Sequence, residues 1–147
     1  MTTFGSRPLV IASLIGLAGA AQASAAGVAI PDACKAVAVA DIEATLGAPG
    51  EGRARGEGSR RICTYAGGTV VGISEANQFE PSVSTVKTHS KCEDVSGVGD
   101  RAVFCVMAGT IGQLMWVKGP VMYDVTSPKS DKKPFLDLAG KIGASKP

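Results

Sequence analysis

Four cysteines, Cys34, Cys63, Cys92 and Cys105, constrain this chain more than any other feature. The last two bracket a segment in which Gly97-Val98-Gly99-Asp100 can supply the positive-φ positions of a tight turn, followed by residues 102–107, which read as a strand buried on both faces. Whether the sulfur atoms are crosslinks depends on where the chain is sent. Residues 1–25 carry Arg7 as a short basic region, an uncharged and mostly apolar run from Leu9 to Ala21, and small-residue cleavage frames ending at Ala23 and Ala25. This is the pattern of a secretory signal peptide. A membrane anchor would need a run of roughly 20 apolar residues, and the mature chain carries no such span. Cys34 lies too far beyond the run to serve as a lipidation site. The mature protein is therefore expected to be periplasmic or secreted, where an even number of cysteines forms disulfides.

Four cysteines allow three pairings. Cys34 with Cys63 and Cys92 with Cys105 is preferred, because each couple is close in sequence and each falls in one half of the chain. Chain-entropy models give about 3–4 kcal/mol for loops of these lengths, against a typical net stability of about 5–15 kcal/mol. Residues 26–147 are long enough to form a single domain with a real core. The formal net charge is +2 with Arg7 included, too small for bulk attraction to nucleic acid or a membrane surface.

Taken in order, residues 36–46 place Val37, Val39, Ala40, Ile42, Ala44 and Leu46 with helical spacing, and Gly47 suits the helix end. Residues 48–59 read as a solvated Gly-rich loop. As a phosphate cradle they lack Gly-Lys-Ser/Thr and a strand-to-helix setting, leaving an anion-contacting surface extended by Arg60 and Arg61 as the alternative. Residues 61–66 and 69–75 form a hairpin around a two-residue Gly67-Gly68 turn, which sets Cys63 opposite Gly72 and leaves room there for a disulfide. After a break at residues 76–81, residues 82–90 read as a short helix or irregular segment with Val83 and Val86 on one side. Residues 110–117 and 121–127 form a second hairpin around Lys118-Gly119-Pro120, with Leu114, Trp116, Val121, Tyr123 and Val125 toward the core and Gln113, Met115, Val117, Met122 and Asp124 away from it. A final helix over residues 134–144 gathers Phe135, Leu138, Ala139 and Ile142 on one stripe, and Gly140 marks a close approach to the sheet. The whole is an α+β fold: a mainly antiparallel sheet of about five strands, with the N- and C-terminal helices packed on one face and two disulfides stapling it.

The chemistry-bearing residues do not assemble into a recognisable set, so no catalytic, cofactor or metal residue is assigned. Gly-x-Ser-x-Gly, His-Glu-x-x-His and Cys-x-x-Cys are absent. His89 is the only histidine; with Cys92 and the methionines Met107, Met115 and Met122 it is the one place a metal could be imagined, but the ligand set is incomplete and methionine more often fills a core. Asp94 and Asp100 could form a carboxylate pair, although aspartate beside glycine is usually a turn residue. Basic patches interleaved with aromatics are also missing, which argues against nucleic-acid binding.

Three stretches carry a resemblance: Cys34-Lys-Ala-Val-Ala-Val-Ala-Asp-Ile-Glu-Ala-Thr-Leu-Gly47; Cys63-Thr64-Tyr65; and Val95-Ser-Gly-Val-Gly-Asp-Arg-Ala-Val-Phe104 with Val117-Lys118-Gly119. They resemble the Cys-x-Leu-Leu-Thr…Leu-Gly, Cys-x-Tyr and Gly-Val-Gly-Asp-x-Ala signatures of a family of small exported bacterial proteins and lipoproteins of unknown function. The resemblance implies an exported α+β domain whose first two cysteines pair, and it carries no catalytic residue over. This chain departs from the pattern in having Ala38 at the helix-cap position, in lacking a lipobox and in adding Cys92 and Cys105.

The function expected is an exported, non-catalytic module that binds an unidentified protein or small molecule and needs no cofactor. The alternatives are a periplasmic metal-handling protein using His89, Cys92 and methionines, and an enzyme working through carboxylates such as Asp94 and Asp100.

Overall fold

The computed structural model describes residues 27–144, so the leader expected at 1–25 lies outside the described residues. The elements in chain order are α1 (Val39–Leu46), β1 (Arg53–Glu57), β2 (Arg60–Thr64), β3 (Val70–Glu75), α2 (Phe79–Lys87), β4 (Ser90–Val95), β5 (Arg101–Met107), β6 (Ile111–Lys118), β7 (Val121–Ser127) and α3 (Lys132–Ala144). Short 3-10 turns precede β3 and α2. The fold is α+β with one antiparallel sheet, ordered β1-β2-β3-β7-β6-β5-β4. Among the described residues no helix is long and apolar enough to cross a membrane.

The sheet has seven strands instead of about five, and the two strands beyond the sequence reading are its edges. β1 is Arg-Ala-Arg-Gly-Glu, inside the segment expected to be a loop, and β4 is Ser-Lys-Cys-Glu-Asp-Val, which runs from the last residue of the expected helix or irregular segment into the cysteine-flanked stretch ahead of β5. An edge strand bonds to one neighbour only, and charge along it discourages pairing with other chains. Such strands are not selected for apolar alternation, so periodicity does not reveal them.

β5, β6 and β7 are buried on both faces. On one face Val71, Ile73, Phe104, Leu114, Trp116 and Val125 pack beneath Ile42 and Leu46 of α1 and Phe135 and Leu138 of α3. The terminal helices thus share one face, as the sequence predicts, and are joined at their outer side by Lys141 Nζ and Asp41 Oδ1 at 2.7 Å. Trp116 and Tyr123, directly paired across β6 and β7, stack with ring centroids 5.2 Å apart. On the other face Val103, Met115, Val117 and Met122 pack under Phe79 and Val83 of α2. The residues read as a break and then as a short helix or irregular segment therefore form a helix, begun earlier than expected at Phe79, that closes a second core, and the supposedly outward positions of the second hairpin are buried beneath it. Pro81 falls in the first turn of α2, where its missing N–H costs no helical hydrogen bond. Arg101 of β5 fixes α2 in place, with its guanidinium 4.5 Å from the Phe79 ring centroid and ion-paired to Glu80.

Both disulfides of the preferred pairing are present. Cys92 and Cys105 are direct partners in the β4–β5 ladder, and Cys34, just ahead of α1, reaches Cys63 on β2. The room for the second bond is not where the sequence suggests. The first hairpin turns through three residues, with the Tyr65 N–H donating to the Thr69 carbonyl, so Cys63 pairs with Val71 and Gly72 with Ile62. A shift of one residue moves Gly72 to the opposite face. Gly52, at the entry to β1, makes the space: a Cβ there would overlap Cys63 Sγ and lie 2.8 Å from the Tyr65 ring. The expected faces of the second hairpin correspond to Trp116 opposite Val121; Trp116 instead pairs with Tyr123 and Lys118 with Val121 around Gly119-Pro120, and because this shift of two residues is even, every side chain stays on its assigned face.

Gly140 also differs from expectation. It is exposed on α3, and a Cβ added to it would meet nothing within 4 Å, whereas the close approach occurs at Gly112 on β6, where a Cβ would lie 2.8 Å from the Phe135 ring and overlap the Lys129 carbonyl. Urea unfolding at unchanged m-value should therefore show opposite responses to one added methyl group. Gly140→Ala stabilises by about 0.5–1 kcal/mol through helix propensity. Gly112→Ala destabilises by about 1–3 kcal/mol through overpacking.

Candidate functional site

A buried charge in the middle of a sheet needs partners, since removing it from water costs several kcal/mol, on the order of what a whole domain has to spare. Among the described residues Asp124 of β7 is the only charged side chain in the buried set, at 8% exposure. It lies on the α2 side, between Met115 of β6 and Gly72 of β3. Its Oδ1 accepts from Gln113 Nε2 at 2.9 Å and from the Thr126 hydroxyl at 3.5 Å. Its Oδ2 accepts from Arg60 Nη2 at 2.9 Å. Burial pushes the Asp124 carboxyl above its ordinary range, and the donors from Gln113, Arg60 and Thr126 pull it back only part of the way.

Arg60 begins β2 and must cross β3 to reach Asp124. Gly72 permits this: a Cβ there would stand 3.1 Å from Nη2 and 3.4 Å from Nε, so the guanidinium lies over the bare backbone of β3. The mid-strand glycine that the sequence assigns to the Cys63 crosslink thus serves the arginine on the opposite face. Arg60 keeps about half its side-chain surface in solvent (51%), and with Gln113 and Asp124 it floors a hollow of about 290 Å³ whose far wall is Pro81, Ser82 and Val86 of α2. Arg53, Arg55 and Glu57 of β1 share this face by register, opposite Thr64, Ile62 and Arg60 of β2.

The residues singled out from sequence are placed elsewhere. His89 is exposed in the turn before β4, Cys92 is bonded to Cys105, and Met115 and Met122 are buried under α2, while Met107 ends β5. Cys92, Met115 and Met122 thus lie in or against one core cluster, with the Cys92 sulfur held in the disulfide and His89 exposed outside the cluster. Asp94 and Asp100 both line a hollow of about 510 Å³ between α2 and the β4–β5 turn. Asp100, however, accepts from the Gly119 N–H at 2.8 Å while its own N–H donates to the Val117 carbonyl at 2.7 Å, which clamps the β6–β7 turn. It is the turn residue its glycine neighbours imply: Gly97 and Gly99 have φ of 80° and 57°. Sequence reasoning misses Asp124 because alternation puts it on a solvent-facing side. The signal that could have found it is a charged residue flanked by Met122, Tyr123, Val125 and Thr126, a density of β-formers typical of a strand covered on both faces.

The raised carboxyl has a consequence for stability. A folded state that holds its proton more tightly than the unfolded chain is favoured below the ordinary carboxylate range and loses that contribution as pH rises through the folded pKa. Relative to Asp124→Asn, the wild-type unfolding free energy should therefore decline as pH is raised through this window. An increase would mean that Arg60 outweighs burial.

No family model, curated protein or solved structure matches this chain.

Proposed function

We propose that the protein is an exported, disulfide-held binding module that performs no chemistry of its own and presents the α2 side of its sheet to a ligand. The observation that carries this reading is the unequal covering of the two faces. Helices α1 and α3 and the segment leading to α1 cap one face out to Cys63 of β2 and Tyr65 just after it, whereas α2 lies over β4, β5, β6 and Met122 of β7, and among the described residues no helix covers the other face of the β1–β2–β3 half. On that open half Ile62, Thr64 and Val70 are only half-buried, and the pinned Arg60 stands at its boundary with α2. A sheet face built to be merely structural would be apolar and covered, or polar and exposed. This one carries an oriented cation anchored by a buried carboxylate.

Binding is favoured over catalysis because both oxygens of Asp124 are engaged by donors, so the carboxylate is not free to take a substrate proton. The metal-handling alternative would require Cys92 as a thiolate, and it is bonded to Cys105. Export, and membership of the exported family that the three motifs resemble, belong to the same proposal; two disulfides support it, since such bonds persist in oxidising compartments.

The test is direct. Alkylation of unreduced, denatured protein should find no reactive thiol, and the mature chain should turn over nothing in a hydrolase and redox panel. Turnover that disappears in an Asp124→Asn variant with an intact fold would overturn the binding reading and make Asp124 catalytic.

A further inference from the structure

The geometry points to a ligand class for the hollow beside α2. We infer that Arg60 binds the carboxylate of a small organic acid, with the body of the ligand resting on Pro81 and Val86. The inference rests on the reading of this face as the binding face.

The starting point is the guanidinium. It carries five N–H donors in a planar fork. Among the described residues its single polar contact is Nη2 to Asp124 Oδ2. Whichever Nη2 hydrogen Asp124 takes, a two-donor edge remains: the Nη1/Nη2 end if the hydrogen is the one beside Nε, or the Nε/Nη2 side if it is the other. Such an edge matches the two oxygens of a carboxylate. The fork is also preorganised. Asp124 holds one end and the bare Gly72 backbone lies beneath it, so less side-chain freedom is lost on binding than for an ordinary surface arginine.

The surroundings select the rest of the ligand. Gln113 Nε2 is engaged by Asp124, and the Thr85 hydroxyl donates to its own helix at the Pro81 carbonyl, leaving Ser82, which has no partner among the described residues, as the free hydroxyl on the rim. Pro81 and Val86 give an apolar wall. About 290 Å³ gives room for a compact acid. A cationic ligand would have to displace Arg60 from Asp124, and across this face Arg53, Arg55 and Arg60 outnumber Glu57, opposite Arg60 in register, and Asp124, so the field favours an anion.

The experiment uses the isotope-labelled mature chain and two probes, benzoate and inorganic phosphate, at an ionic strength of about 0.15 M, where exposed charges are screened beyond about 8 Å. Benzoate should saturate and shift the Arg60 Nε–H, Ser82 and Val86 signals, with phosphate acting more weakly. Arg60→Lys keeps a cation on Asp124 but loses the fork, and should weaken benzoate on the order of tenfold. The double variant Arg60→Gln with Asp124→Asn, which strands no buried charge, should abolish the response. Phosphate binding as well as benzoate overturns the carboxylate assignment. An unresponsive Arg60, or shifts spread over Arg53 and Arg55 without saturation, overturns the site. If either occurs without turnover in the enzyme panel, the binding reading survives on another surface; Asp124-dependent turnover removes both.

Discussion

The antiparallel ladder from β5 through β6 to β7 supports everything else, because it is the part of the sheet with apolar side chains on both faces. A strand in that position cannot be partly right: each residue faces a core, and each backbone group needs a neighbour. Leu114 and Trp116 anchor the layer of α1 and α3, while Met115 and Val117, alternating with them, anchor α2. The three helices are short and would be marginal alone, so they are helices because this ladder offers them apolar ground. The clamp of Asp100 on the Gly119 N–H and the bond from the Ala76 N–H to the Pro120 carbonyl hold the β6–β7 turn from two sides.

What is legible in the sequence and what is hidden follow from the same physics. β7, β5 and the terminal helices can be read because burial imposes a period on them. β1 and β4 cannot, since a strand at the rim of a sheet needs charge more than it needs alternation. The faces of the second hairpin survive a register change of two residues, whereas the first hairpin, shifted by one, exchanges the surroundings of Cys63 and Gly72. Turn length is set by a single hydrogen bond, here Tyr65 N–H to the Thr69 carbonyl, and a pair of glycines is compatible with either length.

The disulfide partners are legible from spacing once the cysteines are expected to be oxidised. The Arg60–Asp124 pair is not, because its two members lie 64 positions apart and meet only if β3 lies between β2 and β7 with glycine at the crossing point. That strand order is nonlocal information. A glycine in mid-strand and an aspartate among β-formers are each odd in isolation; the sheet makes them one feature.

The two crosslinks divide the molecule unevenly in mechanical terms. Cys92–Cys105 rivets one rim strand to its neighbour, so β4 cannot peel away or be traded with another copy of the chain while that bond lasts. The opposite rim has no rivet: Cys34–Cys63 ties β2 to the segment before α1, and β1 is paired to β2 without a crosslink of its own. Local opening, and with it the first site of attack by a protease, is thereby directed to the arginine-bearing end of the sheet, leaving the riveted end closed.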